Sequence, residues 1–346
     1  MRRHPLALIG IIFFILAGLL QLAARNIANF AEWYAITIYP FIVKFYGGFC
    51  NLLPVSVVEL GIYLLTVSAV LYIVFHFRQW KKLVEGILAF LGFIAFLFTV
   101  NCGINYYRRP FSSYLDIEIR DSSEEELKEL CAYLVDHINK TADDFGQPSL
   151  ISQFTLARQG QDAMRNLGTE YPPLSGYYPR PKPVLVSWIL AVQQLCGIYS
   201  PFTVEANYNW QMTAYNIPHT LCHELSHLRG FMREDEANFI GYLACIRSQE
   251  EFFQYSGYLM GWVHAGNALA AQDWDSYIEL HSKLPPQAVE DLQANNLYWD
   301  RYEGKVAEVA NQINDTYLKL NDQKDGVKSY GRVVDLMLAY YRNQGE

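Results

Sequence analysis

The chain is apolar before it is anything else. Residues 5–24 (PLALIGIIFFILAGLLQLAA) carry no charge over about the 20 residues that a bilayer's hydrocarbon core demands of a helix. Residues 60–77 (LGIYLLTVSAVLYIVFHF) and 87–100 with their flanks repeat the pattern. Three transmembrane helices are predicted, at about 5–24, 58–77 and 84–103. Between the first two, residues 34–54 are aromatic and apolar but broken by Pro40, Gly47, Gly48 and Pro54. That suits an interfacial or partly buried re-entrant piece better than a fourth span.

Beyond residue 103 the period changes. Ser122 and Glu125 have capping-box spacing, and Leu127, Leu130, Cys131, Leu134, Val135 and Ile138 follow at helical intervals. A helix over 156–167 is expected to stop at Gly168. Residues 171–183 hold five prolines and read as a connector, or else as a wall beside a cleft. Residues 201–209 alternate as a short strand. Helices are expected over 252–271, 302–320 and 327–341. The fold class is therefore mainly α with a small β element: a membrane anchor over 1–103, then a helix-rich domain over 104–346.

Charge adds direction. Residues 1–103 hold seven Lys/Arg and three acids, leaving 20 basic and 32 acidic residues of the chain's 27 and 35 for the remainder. A domain with a net charge of -12 has nothing to neutralise phosphates, which argues against a nucleic-acid partner. Arg2 and Arg3 precede the first span, and Arg78, Lys81 and Lys82 lie between the second and third. Both groups belong in the cytoplasm, which puts the large domain outside a multi-pass protein of the cell membrane. A fourth span would invert this. A cleaved signal peptide fits the first run less well, because the run is long and two more spans follow. The six cysteines form no CxxC pair and offer no cysteine metal site.

One block carries chemistry: Ile217-Pro218-His219-Thr220-Leu221-Cys222-His223-Glu224-Leu225-Ser226-His227-Leu228-Arg229-Gly230. Pro218 suits a first helical turn. His223 and His227 are one turn apart on one face, where both imidazoles reach a single zinc ion. Glu224 is positioned to polarise a water on that metal as general base. The apolar flanks bury the helix, and burying two histidines and a glutamate without purpose is costly. Gly230 ends the helix in a left-handed conformation. Glu234, Asp235 and Glu236 then open a second helix, as the helix dipole prefers. Glu234 supplies the third ligand on this reading, and Asn238, one turn on, hydrogen-bonds a ligand histidine from behind.

HExxH followed by Glu-x-x-Ala-Asn (Glu234, Ala237, Asn238) resembles the gluzincin metallopeptidases. Similar blocks occur in membrane peptidases related to the prenyl-protein protease, in antirepressor-cleaving peptidases and in sensor domains of antibiotic-resistance receptors. The full string HELSHLRGFMREDEANF behind three spans most resembles a bacterial membrane-protein family known only as a domain of unknown function. The resemblance implies a zincin-like domain with Glu234 as third ligand. Glu234 follows His227 by only seven positions, fewer than is usual in gluzincins, which leaves Glu236, and less so Asp235, as competing ligands. The metzincin pattern matches at Gly230 but places Arg233 at its third ligand, which excludes it.

Other residues carry weaker expectations. His219 reads as structural or supporting, His264 as a satisfied core histidine, and Tyr330 and Arg332 as candidate donors to a transition-state oxyanion opposite Glu224. The strand over 202–209 reads equally as sheet core or as an edge that pairs with extended substrate. The expected function is a zinc-dependent peptidase acting on peptide or protein substrates near the bilayer. The alternative is a membrane receptor or assembly protein that keeps zinc for structure or sensing.

Overall fold

The structure is a computed structural model describing residues 5–115, 117–142, 151–321 and 332–344. Three helices match the apolar runs: span one, Pro5–Asn26; span two, Val57–His76; span three, Trp80–Asn101. Each is long and apolar enough to cross a membrane, and little of each is covered by protein. Spans one and three cross closely. A Cβ on Gly92 would lie 2.3 Å from the Gly10 carbonyl oxygen, so glycine alone permits the approach. Phe13 packs beside Phe93 and Phe96, with ring centroids 5.5 and 5.3 Å away.

The segment expected at the interface folds into short helices, Phe30–Thr37, Tyr39–Ile42 and Gly48–Cys50, with a π-helical turn Val43–Gly47. It also packs into the domain, where Tyr39 and Val43 are fully buried. Glu32 on its first helix is buried and paired with Arg108 at 3.3 Å. It also accepts hydrogen bonds from the Arg109 N–H at 3.1 Å and from the Tyr114 hydroxyl.

The domain is mainly α, as expected, with several boundaries moved. The capping box sits one residue later than the spacing implied. Ser123 caps Glu124–Thr141 and Glu126 accepts from the Ser123 N–H at 2.9 Å. Two serines before three glutamates leave that register open in the sequence. The helix expected to stop at Gly168 runs Gln153–Glu170. That glycine serves close packing instead, since a Cβ there would meet the Leu174 carbonyl oxygen at 3.0 Å. The helix expected from 302 begins at Lys305, because Gly304 turns the chain at φ 147°. Residues 327–331, Tyr330 among them, lie outside the described residues, and helix runs Arg332–Gln344.

The expected strand over 201–209 is a strand only in its second half. A three-stranded sheet has the order β1-β3-β2, with β1 Lys182–Pro183, β2 Gly197–Ser200 and β3 Glu205–Tyr208. β1 runs parallel to β3 and β2 antiparallel, pairing Tyr199 with Ala206. Residues 201–204 form the intervening turn, with Val204 at φ 54°. That left-handed conformation is rare for a β-branched residue. β3 is central, so the edge beside the site is β2 rather than 202–209.

Buried polar contacts tie the sheet to the spans. Glu205 accepts hydrogen bonds from Val57 and Val58 N–H at the start of span two and pairs with buried Lys182 at 2.6 Å. Glu59 accepts from the Leu185 and Val186 N–H groups at 2.7 and 2.9 Å. At the end of span three, the Tyr199 hydroxyl donates to the Asn101 carbonyl, and the Asn101 amide donates to the Pro201 carbonyl. The domain therefore sits at the ends of the spans remote from Arg78, Lys81 and Lys82.

Candidate metal centre

The motif helix is Asn216–His227, with Pro218 in its first turn, and nearly every residue is buried. It packs against the following helix, Glu234–Ile246. Gly241 permits their contact, because a Cβ there would meet His219 Nε2 and the His223 main-chain nitrogen at 3.2 Å. Between the helices Gly230 takes φ 85°, as the left-handed stop required. The turn brings the Phe231 carbonyl back to His227, 2.7 Å from Nδ1. On the second helix Asn238 holds His223, with Oδ1 2.8 Å from Nδ1. Each Nδ1 thus donates to an oxygen, which leaves Nε2 as the atom of each ring that can meet a metal once it carries no proton.

Both Nε2 atoms face Glu234. His223 Nε2 lies 3.2 Å from Glu234 Oε2, and His227 Nε2 lies 4.0 Å from Oε1. Donor atoms of His223, His227 and Glu234 all fall within 4.8 Å of one another. Two imidazoles and a carboxylate suit a divalent ion such as zinc, with one position left for water or substrate. The competing acids are engaged elsewhere. Glu236 accepts the Phe111 N–H at 2.9 Å and lies 3.9 Å from Arg233, while Asp235 accepts the Glu236 N–H. The helix register turns only Glu234 to the histidines.

Glu224 is buried, and its Oε2 has no hydrogen-bond partner among the described residues. Burial pushes its carboxyl up to about 8; His223 pulls the other way, and Glu234 adds to the rise. The β2 edge lies against it, since a Cβ on Gly197 would fall 2.5 Å from Glu224 Oε1. For His223, burial opposes protonation, but the Glu234 carboxylate outweighs it and raises the imidazole to about 9. Burial lowers His227 to about 4 and His219 to about 3. His219 Nε2 lies 3.1 Å from the Asn238 carbonyl, which serves the supporting role expected of it.

Three residues differ from, or add to, the sequence reading. His264, expected to be a satisfied core histidine, has a buried Nε2 without a partner among the described residues. Burial lowers its imidazole to about 4, with His223 close enough to add to the effect. Its apolar helix, Glu251–Gln272, disguised it. Arg332 lies near enough to Asp235 to favour its charge. Tyr39, from the segment between the first two spans, is fully buried against the motif helix. Its hydroxyl lies 3.3 Å from the His227 carbonyl and 2.8 Å from the Tyr199 hydroxyl. Nothing in the local pattern around Tyr39 marks it for that place.

A family model described as "Protein of unknown function (DUF3810)" matches residues 34–338, and the chain belongs to that family. No curated protein and no solved structure matches the chain.

Proposed function

We propose that this DUF3810 member is a membrane-anchored, zinc-dependent hydrolase, a peptidase that cleaves peptide bonds near the membrane. The observation that carries the reading is the convergence of His223, His227 and Glu234 donors within 4.8 Å, beside a buried and unpartnered Glu224 oxygen. A structural metal site has no use for such a base.

His223, His227 and Glu234 hold the ion, with Asn238 and the Phe231 carbonyl fixing the two rings. Bound zinc supplies Lewis acidity toward the scissile carbonyl and lowers the pKa of water. Glu224 Oε2 takes the proton of the attacking water and returns it to the leaving amine. His264 Nε2, buried and unpartnered, is the candidate donor to the developing oxyanion. Arg78, Lys81 and Lys82 at the far end of the spans favour an extracytoplasmic domain.

The test is metal per chain and peptide hydrolysis in detergent-purified protein. One zinc in the parent, lost in His223→Ala and kept in Glu224→Gln with hydrolysis abolished, is the expected result. No zinc in the parent after supplementation overturns the reading. Zinc without Glu224-dependent hydrolysis of any peptide leaves the receptor or assembly role.

A further inference from the structure

Helix Lys305–Leu320 is amphipathic, and its apolar stripe faces away from the domain. Val306, Val309, Ile313 and Leu320 are 59%, 52%, 65% and 72% exposed. Positions 306, 309, 313, 317 and 320 share one helical face, and the 16 residues extend it over about 24 Å. One member of the stripe is engaged. The Tyr317 ring packs on Phe98 of span three at 6.1 Å, and its hydroxyl lies 3.0 Å from that of Tyr106. Phe98 is three residues from the end of that span, so Tyr317 marks the level of the bilayer boundary. The exposed stripe continues from the apolar surface of a membrane-crossing helix.

The same helix also walls a cleft. A cavity of about 740 Å³ lies between its Ala307, Asn311 and Asn314 and the segment Gln193, Gln194 and Leu195. That segment runs directly into Gly197, which lies against Glu224. The cleft thus has a membrane-boundary helix on one side and the approach to the candidate base on the other.

We infer that helix Lys305–Leu320 lies in the bilayer surface on its Val306, Val309, Ile313 and Leu320 face and roofs the cleft. The site then takes polypeptide segments held at the bilayer surface. A helix with an apolar stripe and a charged opposite face is stable in that position. The substrate clause rests on the hydrolase reading; the seating of the helix does not.

Spin labels on single added cysteines, in nanodiscs, test the seating. Five of the six native cysteines are buried, and the parent supplies the background. Labels at Val309→Cys and Ile313→Cys are expected to relax more with oxygen than with an aqueous nickel chelate, and labels at Glu308→Cys and Asn311→Cys the reverse. Four labels in the aqueous phase, or immobilised labels on the apolar face from a protein–protein contact, overturn the seating. Ile313→Glu is then assayed with one peptide sequence, free in solution and tethered to lipid. Cleavage of the tethered form is expected to fall at least tenfold with the free form and zinc content unchanged; equal loss on both overturns the substrate clause. If the parent cleaves neither peptide, the hydrolase reading and the substrate clause fall together, and the labels still decide the seating.

Discussion

Asn238 Oδ1 and His223 Nδ1 lie 2.8 Å apart across the joint between two helices. The pair holds the imidazole with Nε2 toward Glu234, so the donor set is arranged before any ion arrives. Asn238→Ala removes the acceptor and frees the ring. Zinc affinity is expected to fall about 10- to 100-fold without loss of the fold. A competitive chelator titration of parent and variant measures it, and an unchanged affinity would show that Asn238 only packs.

Gly197 is close to Glu224 because it has no side chain. A Cβ there would sit 2.5 Å from Oε1 and 2.8 Å from the Thr220 methyl, closer than real contacts allow. Gly197→Ala is expected to shift the carboxylate, keep one zinc per chain and lose about 100-fold in turnover. Zinc stoichiometry measured beside peptide hydrolysis separates this from unfolding. Full activity in the variant contradicts the role given to Glu224.

Protonation of His223 gives the metal-free protein a pH dependence of definite sign. Its imidazole is raised from 6.5 to about 9, because the Glu234 carboxylate outweighs burial. The folded state therefore holds this proton more tightly than the unfolded chain. The resulting stabilisation is full below about pH 6.5 and is lost as pH rises through about 9. Metal must displace the same proton, so zinc affinity should rise with pH across that window. Metal-free protein is expected to lose Tm between pH 7 and 9.5 relative to His223→Gln. Parallel curves for the two proteins would refute the pairing.

Lys182 and Glu205 form a nearly inaccessible ion pair, 2.6 Å apart, with Glu205 also accepting from the first N–H groups of span two. Lys182→Met leaves that carboxylate buried without its cation. A loss of about 3–5 kcal/mol is expected. Thermal unfolding in detergent checks the magnitude. A change below about 1 kcal/mol would mean that the helix N-terminus alone satisfies Glu205.

The sequence by itself determined what depends on neighbours along one element. Uncharged runs of 20, 18 and 14 residues, with their flanks, suit a membrane, and the three spans appear where hydropathy put them. Four-residue spacing set His223 and His227 on one face, and Gly230 ended their helix as its backbone freedom allowed. The choice between Glu234 and Glu236 stayed open in the sequence, and only the packing of the second helix turned Glu234 to the histidines. The tertiary structure decided everything that required distant segments to meet. No local signal brings Tyr39 beneath His227 or lays Gly197 against Glu224, because those contacts follow from how helices and a hairpin stack. Val204 adopts a left-handed turn against its own preference, held by packing at full burial, which is why the strand over 201–209 could not be read correctly from alternation. His264 was lost among apolar neighbours for the same reason: periodicity says which face is buried, but not whether a polar atom on that face finds a partner.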